Sequence, residues 1–130
     1  MKKIILSAAG LFILLFTCAA KPDILDDIAV AIRSGEARSV AKYFANSVDL
    51  TISNQEDVYS KTQAERILMD FFAKNPPRSF QLNHKGESKE GAQYAIGSLI
   101  TNSGTNYRTY FYIKTQGNIQ VIQELRFMKE

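Results

Sequence analysis

The sequence has few or none of three residue types: tryptophan, histidine and cysteine. It has no tryptophan, one histidine and one cysteine, Cys18. That cysteine lies in an apolar leader that we expect to be removed, so the remaining domain would have no disulfide, thiol nucleophile or thiolate metal site. A single histidine supplies too few of the usual zinc ligands. We therefore expect no metal and no cofactor, and a stability that depends on the hydrophobic core.

The chain also lacks the excess of one charge that nucleic-acid or anionic-lipid binding requires. Its formal net charge of +3 includes Lys2 and Lys3 of the leader. Without the leader, the chain has 14 basic and 13 acidic residues, a net charge of +1. Aromatic residues do not alternate with clustered lysine or arginine, as they do in nucleic-acid grooves. We therefore expect no nucleic-acid partner.

The leader has the three parts of an export signal. Lys2 and Lys3 precede the apolar run Ile4–Phe16, and small residues follow to Ala20. The run is shorter than the roughly 20 residues of a comfortable membrane span. We therefore predict a signal peptide over residues 1–20, no membrane span in the mature form, and one exported domain over residues 21–130, periplasmic or secreted. A retained anchor helix is the alternative.

Two processing routes compete for this leader. Cys18 and Ala20 fit the small residues that ordinary signal peptidase needs before its cut, which favours a free domain starting at Lys21. The stretch Leu15–Cys18 also resembles a lipobox, with Thr17 where glycine, alanine or serine is usual. Processing there would leave the domain lipid-anchored at Cys18.

Helical periodicity and capping residues predict three helices. The first is capped by Asp23 and ends at Gly35, which suits the left-handed closing position. A shorter helix follows over residues 36–45. The third begins at the capping box Ser60–Gln63 and ends at the prolines after Asn75.

Alternation of apolar and polar residues predicts strands elsewhere. Val48–Ile52 is one strand, and Val58-Tyr59 is a brief second one. Short turns join the later strands, which makes sequential strands antiparallel neighbours. These are Ser79–Lys85, Gln93–Thr101, Tyr107–Thr115 and Asn118–Met128. Helices first and a meander last predict an α+β fold, with the N-terminal helices packed in the concave face of a curved, mainly antiparallel sheet.

Several short motifs resemble known sequences. The opening, with Ser34–Ala37, Phe44 and alternating Val48, Leu50 and Ile52, resembles nuclear-transport-factor-2-like domains, which are cone-shaped and share a cystatin-like fold. Further motifs resemble a family of small secreted bacterial proteins classed as a domain of unknown function. They are Tyr59–Lys61, Ala64-Glu65, Asp70–Phe72, Pro77–Phe80, His84–Gly86 and Tyr94–Gly97. The resemblance covers nearly all of residues 21–130 and implies the cone-shaped fold and export. It implies no particular activity, because the family has none assigned. The wider superfamily includes isomerases, dehydratases and non-catalytic binding modules, so fold does not settle function.

Strand alternation also assigns side chains to the two faces of the sheet. In the last strand, alternation puts Ile119 and Val121 on the same side as Leu125 and Phe127. We predict that this apolar side faces the helices and that Ile122 faces solvent. A bulge in any strand would invert the assignment beyond it. The polar residues predicted inside the cone, and hence the candidates for binding a small apolar ligand, are His84, Tyr94, Ser98, Tyr107 and Gln123, with Thr109 beside them.

His84 allows two interpretations. With Tyr94 it could act as a general base, which would make the protein a small isomerase- or lyase-like enzyme. Against this, a lone histidine at a strand end without a carboxylate partner is more often structural. We name no catalytic residue and regard the enzyme as the alternative.

The outer face of the sheet supplies the other candidates, Arg108, Tyr110, Tyr112 and Arg126. Tyrosine and arginine are enriched at protein interfaces, although tyrosine is also a good strand former on a solvated face. A homodimer through this face is one prediction. Overall we favour a non-catalytic module of the cell envelope that binds a small apolar ligand or an envelope protein.

Overall fold

A computed structural model describes residues 23–88 and 90–130 of the chain. The predicted signal peptide, Cys18 and both processing alternatives lie outside these residues. Within them, no helix is both long enough and apolar enough to cross a membrane. The helices are α1 (Ile24–Ser34), α2 (Ala37–Ala41) and α3 (Lys61–Lys74). The strands are β1 (Phe44–Ile52), β2 (Gln55–Ser60), β3 (Pro77–Glu87), β4 (Gln93–Thr101), β5 (Asn106–Gln116) and β6 (Ile119–Lys129).

Helices α1 and α3 begin and end where their capping residues require. The Asp23 side chain accepts a hydrogen bond from the Leu25 amide at 2.9 Å, and Gly35 closes α1 with a φ of 70°. Ser60 and Gln63 form the predicted capping box at the start of α3. Each such cap contributes about 1 kcal/mol to helix stability. Helix α2 is shorter than predicted, because β1 already starts at Phe44.

The strands form one mixed sheet in the order β2-β1-β6-β5-β4-β3. The meander from β3 to β6 pairs antiparallel throughout, as the short turns predict. Strand β1 pairs with β6 in parallel, and this pairing of distant segments has no local signal in the sequence. Helices α1 to α3 pack on one face of the curved sheet.

The hydrophobic core lies between the helices and this inner face. Ile28 and Ile32 of α1 are fully buried there, as are Phe111 of β5 and Phe127 of β6. Burying a side chain of this size stabilises the fold by about 1.5–3 kcal/mol. Arg33 ties α1 to the edge of the sheet, because its guanidinium donates to the Phe80 carbonyl through Nε at 3.2 Å and Nη2 at 3.0 Å.

The face assignment of β6 is correct in its second half and wrong in its first. Leu125 and Phe127 are buried on the inner face. The register shifts after Tyr112, which pairs with Glu124, whereas Ile113 pairs with Ile122. This bulge exchanges the two faces of β6 for the residues that precede it. Ile122 is therefore fully buried rather than exposed, and Ile119, predicted to face the helices, is 66% exposed.

Candidate functional site

The candidate site is a cluster of aromatic and charged side chains on the outer face of the sheet. Cross-strand pairing defines its first row, in which His84 lies beside Ile96, Ile96 beside Tyr110, and Tyr110 beside Arg126. Residues paired in this way on adjacent strands share a face and contact one another. The first row thus crosses β3, β4, β5 and β6.

A second row runs beside the first on the same face. Tyr94 pairs with Tyr112, Tyr112 with Glu124, and Glu124 with Asp49 of β1. The side chains of His84, Tyr94, Tyr110, Tyr112, Glu124 and Arg126 are called the outer patch below.

Contacts between side chains join the two rows. His84 Nε2 and the Tyr94 hydroxyl are 3.1 Å apart, and the Tyr94 and Tyr110 ring centroids are 6.2 Å apart. The Arg126 guanidinium lies over the Tyr110 ring at 5.7 Å, a cation–π distance. Arg126 also forms an ion pair with Glu124. The outer patch is therefore one connected group from β3 to β6.

The Tyr110 phenol stays protonated in this environment. Partial burial raises its pKa above the ordinary value of 10.0, the negative charge of Glu124 raises it further, and Arg126 opposes both effects. A neutral phenol can both donate and accept a hydrogen bond. Tyr110 thus offers a polar tip on an apolar ring, a combination that is common at interfaces.

In and beside the outer patch, three buried polar atoms have neither a hydrogen bond nor an ion pair with any described residue: Asp49 Oδ1, Thr51 Oγ1 and Arg126 Nε. Asp49 and Thr51 lie on β1, which is paired with the β6 residues Glu124 and Arg126. A buried polar group without a partner costs about 1–3 kcal/mol. Water or a binding partner that supplied these hydrogen bonds would lower that cost.

The placement of His84 inside the cone was wrong. Its strand shifts register between Leu82 and His84, which leaves Asn83 as an extra residue. Beyond this bulge the alternation is inverted. The imidazole is consequently exposed on the outer face.

The placement of Tyr94 and Ser98 inside the cone was also wrong. The buried side of β4 carries Ala95 and Leu99 instead, with Gly97 between them. A Cβ at Gly97 would come within 2.8 Å of Phe80 Cζ, so the phenyl ring occupies the space above this glycine. Ala95, Gly97 and Leu99 therefore face inward, and Tyr94 and Ser98 face outward.

The two remaining pocket candidates lie apart from the outer patch. Tyr107 faces inward as predicted, where its hydroxyl donates to Asn75 Oδ1 at 3.3 Å and its ring meets the Phe71 ring edge-on at 5.1 Å. Gln123 is the half-buried residue left over at the β6 bulge. The five residues predicted to line one pocket are therefore not brought together.

All four interface candidates lie on the outer face. Tyr110, Tyr112 and Arg126 belong to the outer patch, and Arg108 is exposed beside Ser98 on the neighbouring strand. Sequence reasoning missed the contribution of Ile96, because the face of β4 was inverted, and that of Asp49, because the pairing of β1 with β6 is not local. No group of three or more metal-ligating residues occurs in the described ranges, 23–88 and 90–130.

Comparisons with known proteins identify both sequence and fold relatives. Residues 25–128 match the family described as a domain of unknown function, DUF4783. The crystal structure of a DUF4783 family protein from Bacteroides uniformis is 29% identical, with a TM-score of 0.77, over 83% of this chain and 98% of that chain. A DUF4783 family protein from Bacteroides fragilis is 29% identical, with a TM-score of 0.76, over 83% and 100%.

A more distant structure shows the fold alone. An NTF2-like protein of unknown function from Shewanella baltica is 9% identical, with a TM-score of 0.63, over 82% of this chain and 88% of that chain. The predicted α+β architecture with helices packed on a curved sheet is confirmed. None of the curated proteins searched matches the chain.

Proposed function

The chain belongs to the DUF4783 family, a domain of unknown function, and we propose that it is a non-catalytic binding module of the cell envelope that associates with a second copy of itself through the outer patch. The predicted family resemblance is thereby confirmed, while export and the binding role are parts of this proposal. The single observation that carries it is the connected aromatic and charged surface across β3 to β6.

The composition of the outer patch supports a protein interface. Three tyrosines and an arginine are the residue types that carry most binding energy at interfaces. The four strands from β3 to β6, about 4.8 Å apart and each with about eight residues, give a face of about 19 by 26 Å, or roughly 500 Å² in projection. This is of the order of the roughly 800 Å² that each partner buries in a standard interface.

The charge pattern supports a second copy as the partner. In a two-fold dimer, residue i contacts residue j of the other copy and the reverse. Glu124 and Arg126 lie two positions apart on the same face of β6, as do Tyr110 and Tyr112 on β5. A two-fold axis that runs across the strands between these positions would set Arg126 against Glu124 of the second copy, and Tyr110 against Tyr112.

The second candidate function, an isomerase- or lyase-like enzyme, is favoured only by the 3.1 Å contact between His84 and Tyr94. Both groups are on the outer face, and His84 is exposed. Proton transfer catalysis gains most in a site that excludes water. The interior does not favour an enzyme either, because aromatic rings pack against one another there. The Phe71 ring centroid lies 5.1 Å from that of Tyr107 and 4.9 Å from that of Phe127.

Light scattering after size exclusion tests the dimer. We expect the purified protein to run as a dimer, and Tyr110→Ala to weaken association by at least about 2 kcal/mol, or about thirtyfold in Kd. Arg126→Glu and Glu124→Arg should each be monomeric, and the doubly exchanged variant should recover the dimer. Lys74→Glu, a charge reversal at an exposed position of α3, is the matched control. A monomeric wild-type protein at its highest soluble concentration would overturn the proposal.

A further inference from the structure

A groove lies on the helix-facing side of the sheet, opposite the face that carries the outer patch. It has a volume of about 510 Å³, within the range of about 300–1,000 Å³ that is typical of small-molecule sites. Its lining comes from four elements that are distant in sequence: the start of α1, the end of β3, and the starts of β4 and β6. The residues used below, called the mouth groove, are Asp23, Leu25, Lys85, Glu87, Gln93 and Gln120.

The polar residues of the mouth groove lie on the helix-facing side of the sheet, beyond the buried core. Gln93 pairs with Ile113, and Glu87 pairs with Gln93, so both share the inner face with that buried isoleucine. Leu25 of α1 is buried and forms the apolar floor. The groove therefore has an apolar base and a polar rim, as small-molecule sites usually do.

Gln93 supplies the observation that points to a ligand. Its Oε1 atom is buried and has no hydrogen-bond partner among the described residues. A buried carbonyl oxygen without a donor costs about 1–3 kcal/mol. The Gln93 side chain is only partly buried, so rotation of its amide toward the groove would let a ligand hydroxyl supply that donor.

The charges around the groove limit the class of ligand. Lys85 Nζ is held by Asp23 Oδ2 at 2.9 Å and by Asp26 Oδ1 at 2.7 Å. These carboxylates raise the pKa of the Lys85 ammonium, so it stays charged. A cationic ligand would meet this ammonium, and an anionic ligand would meet Asp23 and Glu87.

Neutral ligand groups that both donate and accept hydrogen bonds match this lining better than charged groups do. The Gln93 and Gln120 amides each carry a donor and an acceptor, and the carboxylates accept. A hydroxyl satisfies both kinds of group. We propose that the mouth groove is a binding site for a neutral, hydroxyl-rich ligand of the saccharide class.

Titration followed by amide chemical shifts tests this inference, with glucose, N-acetylglucosamine and maltose as neutral probes and spermidine and citrate as charged ones. We expect at least one neutral probe to bind at millimolar concentration and to shift amides of β4 and the start of α1. Gln93→Leu and Gln120→Leu should each weaken that binding by at least about tenfold, or 1.4 kcal/mol. Gln81→Leu, on the exposed outer side of β3, is the matched control.

The opposite results would overturn the inference. They are the failure of all three saccharides to bind, preferential binding of spermidine or citrate, or saccharide affinity unchanged in both groove variants. Gln120→Leu keeps the test decisive if Gln93→Leu does not fold, which circular dichroism reports.

Discussion

The contact between Gly86 and Tyr94 predicts that Gly86→Ala destabilises the wild-type protein but stabilises a protein that lacks the Tyr94 ring. A Cβ at Gly86 would lie 2.3 Å from Tyr94 Cζ and 2.5 Å from its hydroxyl oxygen, so the phenol covers this glycine. Gly86 lies in β3 and its φ is not in the left-handed region, so alanine suits the backbone. Gly86→Ala therefore displaces the Tyr94 ring rather than straining the strand.

Two opposing terms set the magnitude. A displaced ring loses about 40–60 Å² of apolar burial, or about 1–1.5 kcal/mol, together with its contact to His84. Alanine in place of glycine within a strand gains about 0.5–1 kcal/mol of backbone entropy. Gly86→Ala should thus destabilise the wild-type protein by about 0.5–1 kcal/mol. In the Tyr94→Ala background only the gain remains, and the same change should stabilise by about 0.5–1 kcal/mol.

Urea denaturation of the four proteins of this double-mutant cycle, followed by circular dichroism at one low protein concentration, measures the coupling. We expect a coupling free energy of about 1.5 kcal/mol. An effect of Gly86→Ala with equal sign and size in both backgrounds would refute the contact. Gly91→Ala is no substitute control, because Gly91 has a φ of 78°. Gln81→Ala, at an exposed position of β3, serves instead.

Three further predictions concern stability. Phe111→Ala should lower the free energy of unfolding by about 3–5 kcal/mol in urea denaturation, because the ring is fully buried, and a loss below about 1 kcal/mol would contradict the core described above. Ser60→Ala should cost about 1 kcal/mol through loss of the capping box, whereas Lys61→Ala in the first turn of α3 should leave stability almost unchanged. The hydrogen bond from Lys85 lowers the pKa of the Asp23 carboxyl, with burial opposing it, so its stabilising effect exists above the ordinary pKa and is lost as the pH falls through the lowered one. Denaturation curves should therefore show an advantage of the wild type over Asp23→Asn that disappears between about pH 5 and about pH 2, and an advantage of equal size at both pH values would contradict this account.

Strands β3 and β6 show where sequence reasoning about the sheet failed. Their limits were predicted to within two residues, because alternation and turn residues are local signals. Their faces were predicted correctly only on one side of a bulge, since Asn83 and Gln123 are extra residues that no local pattern marks. His84 and Ile122 consequently moved to the opposite faces. The candidate pocket was dispersed partly by these shifts and partly by the wrong face assigned to β4, and His84 and Tyr94 joined the outer patch.

The sequence by itself determined the three helices, the four-stranded meander and the α+β class, because caps, helical spacing and strand alternation act between neighbouring residues. Only the tertiary structure decided which side of β4 faces the helices. Both sides carry apolar residues, Ile96 and Ile100 on one and Ala95 and Leu99 on the other, so alternation alone is ambiguous. The Phe80 ring fills the space over Gly97 and selects the side with small residues. That packing, together with the parallel pairing of β1 with β6, assembles the outer patch from segments far apart in the chain.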